Sequence, residues 1–270
     1  MSQFANVMEV FYLLDKSNCR KCGDKTCMSF AASVFMGTKQ LSLCPVLSQE
    51  VIARYGIQEK IQRGAVDDFN QRVVKLKTGL RSMDFATRAE AIGADYEQGK
   101  LSLKIMGKRL SIDMDGNVST DIHVNPWVLV SALSYINYCK GIPLSSNWVP
   151  LRELPSGQDW YRLFGQQCEK VLKKTADGYS DLFADVVDIF SGKQIADQFQ
   201  SDIAVILSPL PLVPMLICYW KPEEGMDSAL NLFFDATAED NIGIDGLYTL
   251  GTGIAKMFEQ MALQHGVVVG

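Results

Sequence analysis

The chain has 270 residues, 47% of them hydrophobic and 21% charged, the balance of a soluble protein with a substantial core. A net charge of −5 and a pI near 5.2, with no dense Lys/Arg run, exclude a nucleic-acid footprint. Two histidines leave no material for a Ser/His/Asp hydrolase site.

Taken in chain order, MSQFANVMEVFYLL lacks the charged start and small-residue cleavage site of a signal peptide. Phe4, Val7, Met8 and Phe11 instead share one face at helical spacing. A packed helix is expected over Thr26–Met36, closed by Gly37 in the left-handed conformation, and a more polar helix over Ser48–Leu80. From Thr87 to Thr120 the text alternates, and KLSLKIMGKRLSIDMDGNVS predicts short antiparallel strands turning at Gly107-Lys108 and Asp115-Gly116. Pro126–Tyr138 reads as a buried helix with Asn125 as its cap, and Gln158 to about Lys174 as another helix. Strands are expected at Asp202–Leu207, Met215–Trp220 and Leu230–Phe234. A final helix is expected over Asp245–His265, with Leu247, Ile254, Phe258 and Met261 on one face. Pro209, Pro211 and Pro214 exclude a membrane helix from the apolar run 203–220 and predict a strand end or bulged edge.

The predicted class is α+β. A cluster module at 1–47 is followed by a helical connector at 48–84 and a mixed domain at 85–270, with antiparallel sheet and packed helices. The expected compartment is the cytoplasm. Seven cysteines with no sign of export argue against a disulfide framework. Cys139, Cys168 and Cys218 lie in apolar or helical text and read as buried small hydrophobes.

Cys19, Cys22, Cys27 and Cys44 form the pattern C-x2-C-x4-C-x16-C-P. Thiolates are soft ligands, and a set with no histidine or carboxylate selects an iron–sulfur cluster or zinc over hard cations. Zinc ribbons usually pair two C-x2-C knuckles, and this chain has one. A cube with a cysteine on every iron has no open position for substrate, which leaves electron transfer, redox sensing or structural support. Lys16, Arg20, Lys21 and Lys25 surround the loop, opposed by Asp15 and Asp24.

The stretch LLDKSNCRKCGDKTCMSFAASVFMGTKQLSLCP resembles the small iron–sulfur domain of the large subunit of corrinoid iron–sulfur proteins. It also resembles the cluster domain of the B subunit of Rnf electron-transport complexes. The likeness rests on Asn18, Cys19, Cys22, Gly23 and Cys27, then Ala31, Ala32, Gly37, Cys44 and Pro45. It implies a 4Fe–4S cluster moving single electrons, with a corrinoid or a redox partner protein as acceptor, in anaerobic metabolism. Residues from about 90 to 262 are similar to a domain of unknown function that follows this motif in proteins of anaerobes classed as iron–sulfur proteins. GIPLSSNWVPLRELPSGQDWYRLF, PLPLVPMLICYW and NLFFDATAEDNI carry that likeness. The corrinoid-binding domains of the large subunit are not recognisable in this chain.

His123 stands in DIHVNPW, a D-x-H-x-x-P near miss to the D-x-H-x-x-G signature of corrinoid carriers. A strand-to-helix turn explains the same text. His123, with Trp127 as a wall, is the corrinoid-contact candidate, and Trp148, Trp160 and Trp220 are further candidate walls of a flat pocket. The bland reading of each tryptophan is core filling. Gly246, Gly251 and Gly253 match no phosphate-loop pattern and read as a face for close helix packing. No catalytic residue is named. The two functional readings are a single-electron carrier and a non-catalytic binding or assembly protein whose cluster is structural or redox-sensing.

Overall fold

A computed structural model describes the chain except residues 1–3, 5–6, 36–38, 121–123, 180, 196–198 and 266–270, and except the side chains of residues 53 and 56–68. The expected closure of the second helix by Gly37 lies outside the described residues. The chain divides into two compact units, Met1–Arg72 and Val73–Gly270.

In the first unit, α1 (Val7–Leu13) and α2 (Cys27–Phe35) flank the cysteine loop, and α3 (Gln49–Leu80) begins after a single 3-10 turn at Leu41–Leu43. The buried face of α1 keeps three of the four expected residues, Phe4, Val7 and Phe11, and loses Met8. Val10 and Leu14 are sealed while Met8 is 39% exposed, so the apolar stripe runs through Val7, Val10, Phe11 and Leu14.

The second unit takes the end of α3 and then α4 (Phe85–Ile92), where alternation predicts the start of a sheet. Its caps decide the matter. Asp84 accepts the Ala86 N–H at 3.1 Å and the Thr87 hydroxyl at 2.6 Å, and Gly93 closes the helix at φ +68°. Four short strands follow: β1 (Asp95–Glu97), β2 (Lys100–Ile105), β3 (Lys108–Asp113) and β4 (Val118–Thr120), antiparallel and in sequence order. The β2–β3 turn is Met106-Gly107, one residue earlier than expected, because both residues hold positive φ (49° and 75°), as a two-residue hairpin requires.

Next come α5 (Pro126–Tyr138), β5 (Trp148–Pro150), α6 (Gly157–Phe164), α7 (Lys170–Gly178) and α8 (Leu182–Phe190). Asn125 holds the cap position of α5, but its side chain makes no capping bond. Between α6 and α7 the helix widens into a π-helical turn, Gly165–Glu169, that the sequence did not announce. Strands β6 (Lys193–Ile195), β7 (Ile203–Leu210), β8 (Val213–Trp220) and β9 (Ala229–Asp235) precede α9 (Ala238–Ile242) and α10 (Ile244–Gln264).

The second sheet has the order β5-β9-β8-β7-β6, every pair antiparallel. The three prolines lie where strands end, at the close of β7, in the turn and at the start of β8, and a register shift falls between Leu207 and Leu210, beyond the residues that β6 pairs. The bulge frees the Ser208 carbonyl, which accepts Met106 N–H at 3.0 Å and ties the small sheet to the large one.

The long α10 packs against α5, α6, α7 and α9. Its glycines act as the sequence suggests. A methyl group at Gly251 would lie 2.5 Å from Phe164 Cε2, and one at Gly253 would press on the Trp127 ring. Gly251→Ala gains about 1 kcal/mol of helix propensity, but overpacking the buried Phe164 ring costs about 1–3 kcal/mol. The expected net result is a loss of about 1 kcal/mol, read as a lowered midpoint in urea unfolding at unchanged m-value.

Candidate metal centre

Residues 15–26, between α1 and α2, have no regular helix or strand. Lys16, Asn18 and Arg20 hold φ of 62°, 51° and 61°, and Gly23 holds 83°. Such conformations are sterically costly for lysine and arginine and more readily tolerated by asparagine. Alternating left-handed and ordinary residues turn successive backbone N–H groups to one side, the concavity in which anions and iron–sulfur clusters are held. This backbone pattern and the all-thiol donor set both fit such a cluster.

Local bonds fix the loop at both ends. Asn18 Oδ1 accepts the Cys27 N–H at 2.7 Å, joining the two sides of the turn. Thr26 caps α2 by accepting Ser29 N–H at 3.1 Å, which sets Cys27 at the first helical position. A thiolate there meets the positive end of the helix. Lys39 Nζ donates to the Cys22 carbonyl at 3.3 Å and to Asp24 Oδ2 at 2.7 Å, clamping the loop to the segment after α2. Cys44 follows the 3-10 turn, donating its N–H to Leu41 O at 3.0 Å. Its extended backbone is what the following Pro45 favours.

Three of the four cysteines join one apolar cluster. Cys27 and Cys44 are buried and Cys22 packs against them, among Val10, Leu14, Phe30, Ala31, Val34 and Leu41. Cys19 is exposed, and all four are free thiols. The described residues include no three His, Cys, Asp or Glu side chains close enough to share a single metal ion. Lys16, Arg20, Lys21 and Lys25 are exposed, with Lys16 Nζ 5.0 Å from the Tyr12 ring. Lys39 neutralises Asp24, so the opposition to these cations falls largely to Asp15. Hydrogen bonds from Ser17 hold the Asp15 carboxyl below its ordinary range. Sequence reasoning missed Lys39, which lies 17 residues from the carbonyl it binds and carries no local signal.

In the second unit, His123 lies outside the described residues. Trp127 is half-buried against the Gly253 backbone, Trp160 packs on Tyr248 with centroids 5.3 Å apart, and Trp220 Nε1 donates to Gln200 O at 3.0 Å. Trp148 and Trp220 border the same small apolar cluster on the large sheet, while Trp127 and Trp160 contact α10. Cys139, Cys168 and Cys218 are buried, as expected. Burial is the main cause holding each of these thiols above its ordinary pKa. His265 ends α10 and stacks on Tyr179.

The densest polar node is Asp235, at the end of β9. Its carboxylate accepts N–H bonds from Ser145, Ser146 and Thr237 and hydroxyl bonds from Ser145 and Thr237, all at 2.8–3.1 Å. This joins the LSSN and DAT stretches, 90 residues apart, and gives both a structural purpose.

A family model described as "Domain of unknown function (DUF3786)" matches residues 84–257, well over half of the chain. The chain belongs to that family. The match begins at Asp84, the residue that caps α4, and spans both sheets of the DUF3786 unit. A second model, described as "Putative Fe-S cluster", matches residues 14–46, which contain all four loop cysteines and support an iron–sulfur cofactor. The chain is also similar to the acetyl-CoA decarbonylase/synthase complex subunit gamma of Methanocaldococcus jannaschii, 35% identical over 48 residues. That stretch is 18% of this chain, which spans only 10% of the relative's length. No solved structure matches. No described helix is long and apolar enough to cross a membrane.

Proposed function

We propose that this DUF3786 chain is a one-electron carrier in which Cys19, Cys22, Cys27 and Cys44 hold a 4Fe–4S cluster. Its electrons pass to a cofactor or a partner protein, in the cytoplasm of an anaerobe. The observation that carries this reading is the donor set itself: four free thiols and no histidine in one motif, three of them on one apolar cluster.

When bound, the cluster supplies a reversible one-electron couple. The chain's own residues do the holding and shielding. Cys27 and Cys44, buried in the apolar cluster, and Cys22, half-buried beside it, would hold the cluster together with the exposed Cys19. Asn18 and the Lys39–Asp24 clamp keep the loop's ends in place. Lys16, Arg20, Lys21 and Lys25 offset the negative charge of four thiolates and favour the reduced state.

A corrinoid is the first acceptor to test, because the relative's printed name places it in an acetyl-CoA decarbonylase/synthase complex and the motif resembles corrinoid iron–sulfur proteins. His123 and Trp127 are the residues proposed to meet it. The burial of Cys27 and Cys44 favours a second reading, in which the cluster mainly supports the fold or senses oxidation. Anaerobic purification with iron, sulfide, zinc and cobalt analysis, followed by incubation with cobalamin, separates these. Iron with matching sulfide and a corrinoid absorption band retained after gel filtration is the expected result. Stoichiometric zinc sinks the proposal, and no retained corrinoid removes that acceptor.

A further inference from the structure

The helix that joins α6 to α7 widens into a π-helical turn, Gly165–Glu169, which packs Cys168 against Gly251 of α10. A π-turn inserts one residue into an α-helix, weakens its hydrogen bonding, and recurs at functional sites. In this turn Cys168 is driven fully into the core and Glu169 swings toward the outer side of β9. There Glu169 Oε1 accepts Leu232 N–H at 3.0 Å, beyond the reach of β5, which pairs only with Phe233–Asp235.

The second carboxyl oxygen, Oε2, faces Gly165. A methyl group at Gly165 would lie 3.5 Å from it, so the missing side chain leaves the carboxyl open to a groove of about 390 Å³. The groove is shallow and open to solvent, a fit for a small ion held at its rim. Leu230 lines the groove from β9, and Arg162, Lys170 and Lys173 line it from the helix. Lys173 is paired with Asp177 at 2.8 Å. Among the described residues no carboxylate pairs with Arg162 or Lys170. Burial raises the Glu169 carboxyl above its ordinary range, against the Leu232 N–H and the charge of Arg152, which lower it. The groove is therefore a cationic rim around a carboxyl that resists ionising, on a backbone irregularity that places both.

We propose that this groove binds a small oxyanion, a carboxylate or a phosphate, with the anionic group against Arg162 and Lys170 and a ligand oxygen accepting a hydrogen bond from the Glu169 Oε2–H. The proposal is independent of the cysteine loop and of any cluster. Isothermal titration of the full chain at fixed ionic strength, with inorganic phosphate in one arm and succinate in the other, tests it and distinguishes the two sources. At least one probe is expected to bind saturably with a Kd of about 1 mM or tighter. The double variant Arg162→Glu/Lys170→Glu is expected to weaken it at least about tenfold. Gly165→Leu fills the groove at a position whose helical φ of −57° accepts any side chain, so it is expected to abolish binding in a folded protein. The proposal is overturned if neither probe saturates, or if binding survives both the charge reversal and Gly165→Leu with thermal unfolding unchanged.

Discussion

Cys44→Ser is expected to strip the cluster from anaerobically prepared protein, taking iron and acid-labile sulfide from about four each per chain to below about one. On the proposed assignment, loss of one of four thiolates opens an iron to solvent, and Cys44 would be the ligand from beyond α2, which no neighbour in the loop can replace. The cluster's visible absorption should vanish with the metal. Cys218→Ala is the matched control. Cys218 is fully buried in the large sheet, so its loss costs about 1 kcal/mol of packing but should leave iron and sulfide unchanged. Equal iron in wild type and Cys44→Ser overturns the ligand assignment.

The second large effect is on stability. Asp235→Ala removes the buried carboxylate that three backbone N–H groups share, those of Ser145, Ser146 and Thr237, although Ser145 and Ser146 are themselves exposed and can turn to water. A loss of about 2–3 kcal/mol is expected, measured by urea unfolding of the full chain. Burial alone raises the Asp235 carboxyl, but the donors from Thr237 and Ser145 outweigh it and hold it below its ordinary value. The sign follows. A carboxyl depressed in the folded state contributes stability fully present above its unfolded pKa of about 3.9, lost as pH falls through the lower folded value. Wild type should therefore lose stability on acidification below about pH 4 more steeply than Asp235→Asn, which has no charge to protonate there. Parallel curves contradict this role for Asp235.

What was legible in the sequence was local. The cysteine motif is confined to 26 residues, Cys19 to Cys44, and its chemistry follows from residue type and spacing. The α5 boundaries were readable because Pro126 starts the helix and a solid apolar run fills it. The α+β class follows from the same local patterns, and the structure has it. What was missed depends on partners far away in sequence or on competition between neighbours. The alternating text after Thr87 looked like strand until the Asp84 cap and Gly93 stop made Phe85–Ile92 a helix. Glu169 bonds a strand 63 residues later and Asp235 bonds a loop 90 residues earlier. Pro214 reads as a strand end or bulged edge and sits at the start of β8, an interior strand in which the bulge after Leu207 removes the need for its missing donor. The unforeseen α8 lacks a side-chain cap bond at Asp181, which leaves its start unmarked.

The central claim is that the four-cysteine loop carries single electrons. The most direct measurement is quantitative electron paramagnetic resonance on the anaerobic full-length protein, before and after dithionite reduction and again after re-oxidation. The account predicts a silent oxidised state, about one unpaired spin per chain on reduction, and full loss of that signal on re-oxidation. A metal centre that dithionite cannot reduce, or a protein holding zinc in place of iron, contradicts it.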